Sequence, residues 1–175
     1  MGKFAKIAAT AVAGLAAAAV LAQGAPAAPT VAGVPVGTGA GVHSSNSPFA
    51  PLQERADVVP WSVLTDVKTK VEKNRILPVF PANVLALNQK SQRVQGFMMP
   101  LEPGEKQKHF LISSVPLTCS FCVPGGPESM VEVKTKSPVK YTLEAVVVEG
   151  QFQVLKDDPY GLYYRVQDAV AVNGK

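Results

Sequence analysis

The sequence predicts a mainly-β domain closed into a small barrel of five strands, with one short helix ahead of it. Three observations carry this reading. Apolar residues recur with a period of two in five segments after Pro78. One of those segments changes parity midway, as a strand does at a bulge. No helical stretch separates the strands, which argues against a parallel α/β sheet.

The helix comes first. Trp61, Leu64, Val67 and Val71 recur at helical spacing, with Asp66, Lys68, Lys70 and Glu72 turned outward. Pro60 suits a first turn, and Asn74 can end the helix in a left-handed conformation. Trp61 is then an anchor in the core. The first strand follows where Val94, Gly96 and Met98 alternate with Arg93, Gln95 and Phe97. Phe110 and Ile112 mark the second strand, Val131 and Val133 the third. The fourth spans Tyr141 to Leu155: Leu143 and Ala145 share one face, while Val146, Val148, Phe152 and Val154 lie on the other parity. The turn Asp157-Asp158-Pro159-Tyr160-Gly161 leads into the fifth, where Leu162, Tyr164, Val166, Val170 and Val172 keep the period. On this strand Tyr164 takes the buried parity and Tyr163 the exposed one. Five strands with one bulged and bent member suit an OB-like barrel over residues 58–173; the alternative is an open β-sandwich.

The chain ahead of the domain reads as an address. Lys3 and Lys6 precede about sixteen mostly apolar residues, Ile7 to Ala22, short of the roughly twenty that a spanning helix needs. Small residues follow, so residues 1–27 are predicted to be a signal peptide cut after Ala27, with Gly24 as the other position. No cysteine stands at that boundary to take a lipid. A periplasmic location follows, with no direct membrane insertion after cleavage. Losing Lys3 and Lys6 and no acid takes the formal charge from +4 to +2. Residues 28–57, rich in Gly, Pro and Ala, read as a flexible tether with His43 solvated inside it. The lysines are scattered among acids, which excludes the basic, aromatic-lined stripe of a nucleic-acid binder.

The segment from Gln95 to Val133 holds both cysteines and one of the two histidines. Its residues resemble an uncharacterised family of exported bacterial proteins, classed as a domain of unknown function. The resemblance rests on Trp61 with Leu64, on Gly96-Phe97-Met98-Met99-Pro100-Leu101 and on Phe110-Leu111-Ile112. It continues through Cys119 in a Pro-rich turn and Val131-Glu132-Val133, covering Val58 to Val172. The resemblance implies export, a β-rich domain and a link to envelope transport. Some members are lipoproteins encoded near ABC-type transport or metal-uptake genes. Members of the family carry a histidine two residues after the first cysteine and lack the second; here Phe121 holds that place and Cys122 follows it. Such an exchange of Cys and His hints at metal ligation.

Cys119-Ser120-Phe121-Cys122 admits four readings. A disulfide suits an oxidising compartment, and a loop this short is stabilised by about 2 kcal/mol before strain. Alternatively, two thiolates can hold copper, with Met98 or Met99 as a soft partner. Zinc needs two further ligands, for which His109 is the nearby candidate. The metal set is therefore Cys119, Cys122, His109 and Met98. A redox dithiol usually opens a helix, which Val123-Pro124-Gly125-Gly126-Pro127 forbids. Two idle thiols are the fourth reading. Core packing is the plain role for Met98 and Met99, and a turn is the plain role for Asp157-Asp158. The chain has no Gly-x-Ser-x-Gly, no His-Glu-x-x-His and no phosphate-binding glycine loop. The expectation is a non-enzymatic periplasmic accessory binding module in envelope transport or metal handling, meeting a membrane transporter or other envelope protein. A structural or protein-interaction domain with a plain disulfide is the alternative, and a thiol oxidoreductase the third reading.

Overall fold

A computed structural model describes residues 39–172 and, ahead of them, the short strands β1 (Thr30–Val31) and β2 (Val34–Pro35). The expected signal peptide, residues 1–27, lies outside the described residues. In chain order there follow α1 (Trp61–Leu64), β3 (Lys68–Glu72), β4 (Arg75–Val79), α2 (Ala82–Leu85), β5 (Ser91–Pro100), β6 (Lys106–Ser113), β7 (Met130–Lys140), β8 (Ala145–Val154) and β9 (Tyr164–Val172).

The last five strands form the predicted barrel. They are bonded in the order β5-β6-β7-β9-β8, and β8 returns to β5. Every pairing is antiparallel except β7 with β9. First-second-third-fifth-fourth is the strand order of the OB-type Greek-key barrel. Closure depends on β5 serving two partners. Ser91 to Phe97 pair with β8, and Phe97 to Pro100 pair with β6. Gly96 stands at this handover, where a Cβ would land on Ile112 Cγ2 and come within 2.5 Å of Ser113 O. Only a residue without a side chain lets β5 coil so closely over β6.

The inward parity is the one expected. Val94, Met98, Phe110, Ile112, Val133, Val148, Phe152, Tyr164 and Val166 are all buried in one core. Burying each such side chain stabilises the fold by about 1.5–3 kcal/mol. Tyr164 sits at the centre, with its ring 5.4 Å from that of Phe152 and 5.7 Å from that of Phe80. Its hydroxyl donates to Leu64 O at 2.6 Å, tying α1 to the barrel. Trp61 packs on the core, as expected of an anchor, and its indole N–H donates to Gln95 O at 2.9 Å.

Four details differ from the sequence reading. The helix predicted to reach Val71 ends at Leu64, where Thr65 caps it with its N–H and hydroxyl on Trp61 O. Lys68 to Val79 instead form a hairpin, with Lys73 and Asn74 both at positive φ in its two-residue turn. The run is too short to separate helical from alternating spacing, and its β-branched Val67, Thr69 and Val71 favour extension. After Pro78 a second one-turn helix, α2, intervenes and buries Val84. On the β8–β9 ladder the bulge lies in the fifth strand rather than the fourth, and a second register shift stands between β6 and β7, from Gln107 to His109. Glu149 pairs with Val170 and Gln151 with Gln167, so Gly150 alone faces two residues of β9. The extra residue is Asp168, held at φ 52. Finally, Tyr163 is buried, since it precedes β9 and folds edge-on against Phe80.

Candidate functional site

The β6–β7 connection carries the cysteine turn. Pro116, Pro124 and Pro127 prevent a regular helix there, and two successive turns form instead: Cys119 N–H donates to Pro116 O, and Cys122 N–H donates to Cys119 O. These turns bring the two Cα atoms to 5.3 Å, and the sulfurs are joined as a disulfide. Cys119 is buried beneath the turn, and Cys122 is partly exposed. The closed loop holds Phe121 at 61% exposure; Leu117 and Val123 of the same connection, and Val42 bridged to Val123, are also exposed. An aromatic ring held in water on a disulfide-closed turn is an exposed apolar feature of this connection.

Part of the stretch read as a tether is attached to this loop. Val42 and Val123 exchange backbone hydrogen bonds of 2.8 and 2.9 Å. Gly39 N–H donates to Glu128 Oε1 at 2.7 Å, and the Ser114 hydroxyl donates to Ala40 O. His43 is half-buried, and its Nε2 is out of contact with water.

The expected metal ligands do not meet. Met98 is buried in the barrel core and pairs with Ile112. His109 is on the outer face of β6, with Nε2 at 2.6 Å from Glu132 Oε1. Both cysteines are committed to the disulfide, so copper or zinc could reach their thiolates only after reduction. Among the described residues, no group of three or more His, Cys, Asp or Glu side chains is assembled to hold an ion.

A charged cluster that sequence reasoning did not single out lies on the outer face of β6, β7 and β9. Glu132 is 5% exposed although it points away from the core. One oxygen meets His109 and, at 3.5 Å, Lys134 Nζ; the other accepts from Arg165 Nε. Burial pushes this carboxyl up, but the hydrogen bonds from His109 and Arg165 and the charges of Arg165 and Lys134 outweigh it. The net result is a pKa below the usual carboxylate range. Arg165 continues to Asp158 at 3.3 Å, and Asp158 also accepts from the backbone of Tyr160 and Leu162. Asp157 is paired with Arg75. Both acids of the Asp157-Asp158 turn are thus held by arginines, as a structural turn would have them. The only sequence signal for the cluster was a charged residue, Glu132, between two core valines.

Residues 54–162 match the model of a family described as a protein of unknown function (DUF3299). A solved structure of a DUF3299 family protein from Pseudomonas aeruginosa PAO1 is similar, at 19% identity over 77% of this chain and 93% of that one, with a TM-score of 0.40. No curated protein matches the chain.

Proposed function

The chain belongs to the DUF3299 family, and for this member we propose an exported, periplasmic accessory binding module that takes part in envelope transport or metal handling. The reading is carried by Phe121, 61% exposed at the tip of a disulfide-closed turn on a rigid barrel. Protein interfaces concentrate their binding energy in a few aromatic anchors, and clustered exposed apolar residues mark such surfaces. The partner is a membrane transporter or other envelope protein with a complementary apolar pocket. The module is non-enzymatic. This is supported by how the candidate acid–base groups are occupied: His109 by Glu132, and Asp157 and Asp158 by arginines.

The test is site-specific photo-crosslinking in living bacteria that express the full chain. A photoreactive phenylalanine analogue at position 121 should give one discrete adduct with an envelope protein in the periplasmic and membrane fractions. The same analogue at Tyr160, which is 85% exposed on another loop, serves as the control. Adducts at both positions alike, or none at 121 in correctly exported protein, would refute the docking role.

A further inference from the structure

The disulfide does more than hold up Phe121, because it stands between two of the points where the strap Gly39–Ser47 is fastened. Val123, which follows Cys122 directly, carries the reciprocal backbone bonds to Val42. On the other side of the turn, Ser47 Oγ lies 3.3 Å from Cys119 Sγ. A disulfide sulfur carries no hydrogen, so the hydroxyl is the donor in that contact. Ser47 Oγ also accepts from Phe49 N–H at 3.1 Å, which leaves its own proton directed at the sulfur. The fit is close: a Cβ on Gly41 would stand 2.5 Å from Val123 O and 2.8 Å from Gly125 N. Independent movement of Cys119 and Cys122 would therefore loosen the strap at Val42 and at Ser47, leaving only the bonds of Gly39 to Glu128 and of Ala40 to Ser114.

We propose that Cys119–Cys122 is an exchange-active disulfide, and that its redox state decides whether the strap Gly39–Ser47 stays on the barrel. The co-reactant is a dithiol, either of an oxidoreductase or of a small molecule. Its thiolate attacks Cys122 Sγ, the sulfur of the partly exposed residue, and a mixed disulfide forms as the Cys119–Cys122 bond breaks. Cys119 leaves as a thiolate that accepts a hydrogen bond from Ser47 and then takes a proton from water. The second thiol of the dithiol, as its thiolate, attacks the mixed disulfide and releases Cys122, which is protonated in turn. Two electrons and two protons have then passed to the cysteine pair, and the dithiol has become a disulfide. This inference does not depend on which partner Phe121 meets.

Hydrogen exchange with mass spectrometry on the full exported chain, oxidised or treated with dithiothreitol, tests it. Reduction should speed exchange in peptides covering Gly39–Ser47 and Cys119–Gly125 at least tenfold, leaving peptides from β5 and β8 unchanged. Gly41→Val should release the strap equally with the disulfide intact, which ties the exchange signal to the clasp. Ser47→Ala should slow reduction by dithiothreitol at least threefold, since the leaving thiolate loses its donor. Strap exchange that ignores reduction, or faster exchange spread evenly over the barrel, would overturn the proposal. An unchanged reduction rate in Ser47→Ala would overturn the role of Ser47.

Discussion

Removing the charge of Glu132 should cost this domain more than any other single charge substitution on its surface. The carboxylate is 5% exposed, with two cationic neighbours, Arg165 and Lys134, and a hydrogen bond from His109. Breaking a buried ion pair from one side costs about 3–5 kcal/mol, because the remaining charge stays without a partner. Here that cost is reduced: the side chains of His109 and Lys134 are 33% and 43% exposed and can re-solvate, while Arg165, 18% exposed, keeps Asp158. Glu132→Gln should therefore lose about 2–3 kcal/mol at neutral pH, read as a lower urea midpoint with an unchanged slope. The melting temperature should fall by about 10 °C. A pH series adds a sign. The folded carboxyl is held below its ordinary range, so the unfolded chain takes up the proton first. The stability from Glu132 is complete above the ordinary carboxylate pKa of about 4.3 and is lost as pH falls through the depressed folded value. The wild-type advantage over Glu132→Gln should shrink in acid, and taking the difference cancels the other depressed carboxyls, Asp57 and Glu72. A loss below about 0.5 kcal/mol, or a difference flat with pH, would refute the buried-network argument.

Two further substitutions probe the barrel. Tyr164→Phe should cost about 1–2 kcal/mol in urea unfolding, since Leu64 O loses its 2.6 Å donor inside the core. Burial pushes that phenol well above its usual pKa, so the native protein should show no phenolate absorbance from Tyr164 in mild alkali. Gly96→Ala should cost about 1–3 kcal/mol or more, because its Cβ meets Ile112 Cγ2 and Ser113 O at the handover of β5. A neutral result there would mean that β5 can shift without opening the barrel.

Much of the fold was legible before any coordinates. Period-two alternation is a local property, and it placed Val94, Phe110, Val133, Val148 and Val166 on the inner face of five strands. The Pro-Gly-rich context of Cys119 and Cys122 likewise excluded a helical redox motif, and a separation of three residues put the two sulfurs within bonding reach. The hairpin at Lys68–Val79 was not legible, because Val67 and Val71 satisfy helical spacing as well as extended geometry, and it is the Lys73-Asn74 turn with its paired strands that distinguishes them. The bulge was assigned to the wrong strand because the exposed Leu143 and Ala145 imitate a parity slip in β8, whereas the real slip is in β9, where Ala169 turns inward and Val170, expected to keep the period, is 48% exposed.

The candidate sites divide along the same line. Sequence by itself determined the five-stranded β class, the cysteine turn and the alternation that points Glu132 outward, since each depends on residues within a few positions of one another. Only the tertiary structure decided that Arg165 and His109 would close over Glu132. The parallel pairing of β7 with β9 brings together residues 33 positions apart, and no local pattern encodes that neighbour. It also decided that Val42 and Ser47 would reach the cysteine turn across more than seventy residues. Periodicity tells a side chain which way to face; what it then meets depends on which strands and loops the closed barrel sets side by side.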